Sequence, residues 1–149
     1  MQDAVEIRPA QGHGEFRQAL AVRVAVFVRE QGGPPEDEPD AWDSAARHYV
    51  VAHGGRVIGA ARLYEPSRRL AKIGRVALLP EYRGRGWGAR LMKYLLGQAR
   101  ALGYGEVVLD SQTWACPFYR RFGFAPEGEE WIEGGLPHRR MRLFLGPES

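Results

Sequence analysis

A chain of 149 residues with 44% apolar and 26% charged side chains can bury a core of its own, and it leaves no room for a second domain. That balance excludes a disordered chain, and the absence of any run of about eighteen apolar residues excludes a membrane-spanning helix. The formal charge of +3 is too small and too dispersed to argue for nucleic acid, and the single Cys116 rules out an intramolecular disulfide framework or a multi-cysteine metal site.

The N-terminus, Met-Gln-Asp-Ala-Val-Glu-Ile-Arg-Pro, lacks the basic flank and apolar core of an export signal, so a reducing cytoplasm is expected. Ala4 to Arg8 alternates as a short strand that Pro9 closes. From Glu15 to about Arg29 the pattern is helical, with Phe16, Leu20, Val24 and Phe27 on one stripe and Arg17, Arg23 and Glu30 left to water or to a site. The stretch from Glu30 to Asp43 is rich in Pro, Gly and acids. It reads as a solvated loop with one helical turn, or as an acidic wall that would favour a cationic amine.

His48 to Ala52 and Arg56 to Tyr64 form a hairpin through Gly54-Gly55. After a turn from Pro66 to Arg69, Leu70 to Leu78 returns as the next strand, interrupted by Gly74, which signals a bulge or a close backbone approach. Pro80 ends that strand, and glycines at 84, 86 and 88 lead into a helix with an apolar stripe of Leu91, Met92, Leu95, Ala99 and Leu102, capped by Gly103. Glu106 to Asp110 reads as a strand, and Ala115 to Phe122 as a short helix stopped by Gly123. The last two strands, Phe124 to Gly128 and His138 to Leu145, are joined through Glu133-Gly134-Gly135.

The glycine-rich stretch carries the chemistry. Glycine permits positive φ and close backbone approach, and the first N–H groups of the following helix lie unpaired at its positive end, so a diphosphate is the natural occupant, with Arg83 and Arg85 at the mouth. A nucleoside-triphosphate loop would need Lys and Ser/Thr at the helix start, and neither is there. A dinucleotide fold is a closer decoy, because Asp110 ends a later strand. Its glycines, however, would be spaced Gly-x-Gly-x-x-Gly in a first βαβ unit, and here they are Gly-x-Gly-x-Gly in mid-chain.

Read as Arg83-x-x-Gly86-x-Gly88-Ala89, the stretch resembles the acyl-CoA loop of the GNAT N-acetyltransferase superfamily. Tyr119-x-x-x-Gly123-Phe124 and the strand Val76-Ala77-Leu78 are further marks of that family. Val26-Phe27-Val28-Arg29-Glu30-Gln31, Asp40-x-x-Asp43, His48 and Gly134-Gly135-Leu136-Pro137-His138 look like its ElaA/YjcF branch.

The resemblance implies one GNAT domain over residues 1–149, an α/β (α+β) fold whose central, mostly antiparallel mixed sheet is flanked by helices. Acetyl-CoA is the implied cosubstrate, with no metal. The backbones of Val76, Ala77 and Leu78 would pair with the pantetheine arm. Amides from Gly84, Arg85, Gly86, Trp87, Gly88 and Ala89 would hold the diphosphate, with Arg83 at its edge and Gln112 standing where the family often has asparagine. The acceptor would be a primary amine of a small molecule or protein, and the assembly a homodimer, with Trp131 serving an interface or the acceptor pocket.

Tyr119 is then the expected general acid, since acyl transfer through a tetrahedral intermediate expels a thiolate and a phenol of pKa about 10 can protonate it. The amine must also lose a proton. Glu30 is the first choice of base, His138 and His48 are alternatives, and water is a further relay. Cys116 is read as a packing residue beside the tyrosine. A competing reading is a catalytically inactive CoA-binding regulator of the same fold. Another is a nucleic-acid protein built on Arg83-Gly84-Arg85-Gly86, for which no aromatic platforms are evident.

Overall fold

The computed structural model describes residues 4–146. Strand β1 (Glu6–Pro9) is followed by helix α1 (Gly12–Arg23), which continues as a π-helical segment, Val24–Glu30. Two 3₁₀ turns, Pro35–Asp37 and Ala41–Ala45, lead to β2 (Arg47–His53), β3 (Arg56–Ser67) and β4 (Leu70–Leu78). Then come α2 (Trp87–Ala101), β5 (Glu106–Gln112), α3 (Cys116–Arg120), β6 (Ala125–Glu133) and β7 (Leu136–Phe144).

The seven strands form one sheet in the order β1-β2-β3-β4-β5-β7-β6. Only the β4–β5 pair is parallel, so the sheet is mixed and mostly antiparallel, as expected. Alternation along each strand feeds two cores. Val50, Val57, Ala60 and Ala77 pack under α1, while Val51, Ile58, Leu63, Ile73, Val107 and Leu109 meet Leu91, Met92, Leu95 and Ala99 of α2. Among the described residues no helix is long and apolar enough to cross a membrane.

Local signals were realised closely. Gly54-Gly55 and Gly134-Gly135 turn their hairpins with φ of 58°, 80°, 59° and 80°, the left-handed region that glycine reaches without strain. At Gly103, with φ 86°, its own N–H bonds the Arg100 carbonyl and the Tyr104 N–H bonds that of Ala99, closing α2 in a Schellman cap. The irregularity expected at Gly74 is a bulge, because Ala60 to Arg62 of β3 spans Ala77 to Gly74 of β4.

Three expectations need correction. The buried face of α1 and its extension is Ala19, Val22, Arg23 and Val26, one step round from the anticipated Phe16–Leu20–Val24–Phe27 stripe. Leu102 is 40% exposed, since the helix ends just before it would reach the core. The penultimate strand runs on to Glu133, kinked where its register shifts between Glu127 and Trp131.

Arg23, left by the helical pattern to water or to a site, is 1% exposed. Its guanidinium forks onto Asp43 at 2.8 and 2.9 Å and donates from Nε to Glu38 at 2.7 Å. Arg62 of β3 donates to Asp40 and Asp43, and Asp43 also accepts from the Asp40 backbone N–H in a capping box that fixes the 3₁₀ turn Ala41–Ala45. The segment from Glu30 to Asp43 is therefore neither a plain solvated loop nor an open acidic wall, because Glu38, Asp40 and Asp43 are neutralised from beneath by arginines.

Candidate active site

Strands β4 and β5 pair only where Leu70–Lys72 faces Glu106–Val108. Beyond that the bulge at Gly74 bends β4 away, and the two strands splay around a cavity of about 390 Å³. Its walls are Ile73 to Leu78 on one side and Leu109 to Gln112 on the other, closed by Phe27 and Glu30 from the π-helical segment, Tyr119 from α3 and His138 from β7. A parallel pair cut short in this way leaves main-chain donors and acceptors of β4 unpaired toward the slot, where an extended amide-bearing ligand can replace the missing strand.

The glycine loop adjoins the outer end of this slot. A Cβ built on Gly88 would lie 3.7 Å from the Phe118 ring, which packs on the core, and 3.8 Å from Leu78, which is part of that wall. Gly84 and Gly86 adopt φ of 77° and 82°, and Gly86 is the N-cap of α2. No side chain caps the helix, and the first intrahelical bond runs from the Arg90 N–H to the Gly86 carbonyl. The N–H groups of Trp87, Gly88 and Ala89 thus lack partners among the described residues, an arrangement that fits a diphosphate. An unpaired strand edge ending on an uncapped helix suits the long arm and pyrophosphate of coenzyme A.

Several side chains at the expected cofactor positions have partners within the protein. The Trp87 side chain is buried between His53 and Tyr82, so only its main chain is available to a ligand. Arg85 lies over the Tyr82 and Trp87 rings and donates to the Glu81 carbonyl. Arg83 donates from Nε to the Leu78 carbonyl at 3.0 Å and forks onto both oxygens of Glu30 at 2.8 Å. It thereby links the end of β4 to the π-helical segment within the cavity lining. Gln112 is engaged on both sides, donating to Gln31 at 2.7 Å and accepting from the Trp114 indole at 2.6 Å.

Tyr119 opens into the cavity with its ring held edge-on between Phe118 and Phe124. Burial, with a lesser contribution from Cys116, pushes its hydroxyl up to about 12. The phenol therefore stays protonated throughout the physiological range, as a proton donor must. Glu30 is a weak base here: the hydrogen bonds from Arg83 hold its carboxyl below the usual carboxylate range, and both oxygens are occupied.

His138 also faces the cavity, stacked on Trp131, with Nδ1 2.9 Å from the Leu136 carbonyl. A carbonyl can only accept, so in the neutral imidazole Nδ1 carries the proton and Nε2 keeps its lone pair. His48 is not among the residues lining the cavity; its Nε2 lies against the Asp43 carbonyl and its ring on Phe16. Cys116 is buried in the core at the start of α3.

Trp114 and Arg75 are cavity residues that the sequence reading passed over. Trp114 is 74% exposed, and its position between the end of a strand and a short helix start was the available signal. For Arg75 the signal was the strand-breaking glycine beside it.

Residues 17–124 match the family model described as Acetyltransferase (GNAT) family. The Bacillus subtilis protein YjcF, described as an uncharacterized N-acetyltransferase, is 34% identical over 133 residues, covering 89% of this chain and 94% of its own. The crystal structure of an acyl-CoA N-acyltransferase from Pseudomonas aeruginosa superposes with a TM-score of 0.83 at 29% identity, covering 93% of this chain and 97% of that one. Escherichia coli ElaA gives the same TM-score and coverage at 27% identity. With a splayed sheet, an uncapped glycine-led helix and these relatives all in agreement, the chain belongs to the acetyltransferase (GNAT) family, in its ElaA/YjcF-like branch, and is an acyl-CoA-dependent N-acyltransferase.

Proposed function

We propose that the protein transfers the acetyl group of acetyl-CoA directly to a primary amine of a small molecule or protein. The observation that carries this reading is the cavity along the open edge of β4, which Tyr119 lines, with the uncapped start of α2 packed beside Leu78 at the end of that strand. The donor supplies a thioester carbonyl at the Tyr119 end of the slot.

His138 Nε2 is the base that takes a proton from the attacking amine, in place of Glu30, whose carboxylate is tied to Arg83. Tyr119 gives its proton to the departing thiolate as the tetrahedral adduct collapses. Arg83 leaves the Leu78 carbonyl when a ligand amide claims it, and Glu30 then keeps the guanidinium near the diphosphate.

Thiol release measured against a panel of amines tests the activity, and calorimetry with CoA tests the donor site on its own. A folded protein that binds CoA but acylates none of the panel would favour the regulatory reading.

Two expected results belong to this scheme. Gly86→Val forces a β-branched residue into φ 82°, so the loop amides turn away from their common focus, and the CoA Kd should rise by about tenfold or more, ~1.4 kcal/mol. Unaltered affinity would mean that these amides do not hold the diphosphate.

The second concerns pH. With the Tyr119 hydroxyl pushed up to about 12, its protonated, donating form persists until pH rises through that value. kcat/KM should therefore climb as the acceptor ammonium deprotonates toward its pKa of ~10, with no descending limb from Tyr119 before it. A falling limb near pH 9 that vanishes in Tyr119→Phe would contradict the high value.

A further inference from the structure

The ion-pair network beneath the 30–43 segment includes one arginine that lines the cavity and has no part in the scheme above. Arg75 occupies the β4 bulge directly before Val76 and has a left-handed φ of 51°, a strained conformation for a side-chain-bearing residue. Such strain persists where the surroundings over-determine it, and here the surroundings are carboxylates.

Arg75 Nε lies 2.6 Å from Glu38 Oε2, on a side chain only 3% exposed, and its terminal nitrogen donates to Asp40 at 3.0 Å. Its guanidinium also sits 6.0 Å from the centre of the Phe27 ring. Glu38 and Asp40 are held from the other side by Arg23 and Arg62, so the far end of each contact is anchored to α1 and β3. Phe27, Asp37 and Glu38 all line the cavity, as do Val76 and Leu78. One side chain thus ties the wall built from the π-helical segment and the following loop to the strand edge opposite β5.

We propose that Arg75 is a positioning residue for acyl transfer, locking the wall built from the π-helical segment and the following loop to the β4 edge so that acceptor and thioester meet in register. The inference rests on reading this cavity as the place where donor and amine meet. Without the lock, the donor still finds the β4 edge and the α2 N-terminus, but the facing wall of the cavity can shift.

The test compares Arg75→Gly, which keeps the left-handed backbone without strain and removes the guanidinium, with Arg75→Lys, which keeps the charge but loses the planar guanidinium that reaches both Glu38 and Asp40. Misplacement of reactants by about 1 Å is worth up to a hundredfold, so Arg75→Gly should lower kcat by about thirty- to a hundredfold with an amine that the wild type acetylates. Its calorimetric Kd for CoA should stay within about threefold of wild type, and Arg75→Lys should recover part of the rate.

Glu38→Gln, which removes the partner from the loop side, should show the same split between kcat and CoA affinity, and it carries the test if Arg75→Gly does not fold. A merely structural role would lower Tm without separating the two quantities. Near-wild-type kcat in a folded Arg75→Gly or Glu38→Gln protein, or CoA affinity falling in step with rate, overturns the proposal. A wild-type protein that binds CoA and acylates no amine fails earlier, and that result refutes the functional reading itself.

Discussion

Tyr119→Phe is expected to lower kcat by about a hundredfold while leaving the KM for acetyl-CoA within about threefold. The substitution removes one oxygen and keeps the ring, so the edge-on contacts with Phe118 and Phe124 that set the position of α3 survive. Stability should barely change. Among the described residues the Tyr119 hydroxyl has no hydrogen-bond partner to orphan, and its neutral state costs nothing at pH 7 because burial already favours it.

The predicted effect is confined to the step in which negative charge gathers on sulfur. Without a donor, the leaving thiolate must be protonated from water or leave charged into a partly apolar cavity. Steady-state kinetics with a good amine acceptor, combined with a thermal melt of each protein, checks this. Turnover equal to wild type in a folded Tyr119→Phe protein would remove the tyrosine from the chemistry and leave it as packing.

The largest stability effect should come from Asp43→Asn. Asp43 accepts from Arg23, from Arg62 and from the Asp40 backbone, with a side chain only 6% exposed. The amide is nearly isosteric, so the change removes charge and one acceptor without opening a cavity. Two buried guanidinium groups are then left with insufficient compensation. Breaking a buried pair from one side typically costs about 3–5 kcal/mol, against the far smaller value of an exposed bridge such as Arg56–Glu81. Tm should fall by roughly 10 °C for a domain of this size.

Acid should do the same to the wild type. Burial works to raise the Asp43 pKa, but the bonds from Arg23 and Asp40 outweigh it and hold the carboxyl far below the ordinary range, while Asp40 is likewise held down by Arg62 and Arg75. With folded values depressed, this contribution is complete above the unfolded aspartate pKa of ~3.9 and disappears as pH falls below it. Asp43→Asn should therefore lose little further stability between pH 5 and pH 2 from this source, whereas the wild type loses it there. Parallel pH–stability curves for the two proteins would show that the network does not have this linkage.

Both predictions depend on contacts that differ in how far apart their partners lie along the chain. The glycine turns, the Schellman cap at Gly103, the strand–loop–helix at Gly86 and the bulge at Gly74 each involve neighbouring residues, and each was readable as spacing. Tyr119 in the cavity followed from a motif six residues long. The helical pattern leaves Arg23 to water or to a site because its partners Glu38 and Asp43 are 15 and 20 residues away, and a helical wheel cannot tell a solvated arginine from a buried, paired one. The Glu30 carboxylate is likewise held by Arg83, 53 residues on. Gln112 and Gln31 meet across 81 residues.

The amino-acid sequence by itself determined the order of elements, the turns and the uncapped amide cradle at the start of α2, because backbone sterics and local hydrogen bonds settle these within a few residues. Only the tertiary structure decided which charges remain available for chemistry. Whether a carboxylate acts or merely holds depends on which distant guanidinium the folded sheet brings against it, and in the slot it brings Arg83 against Glu30 while His138 stacks on Trp131.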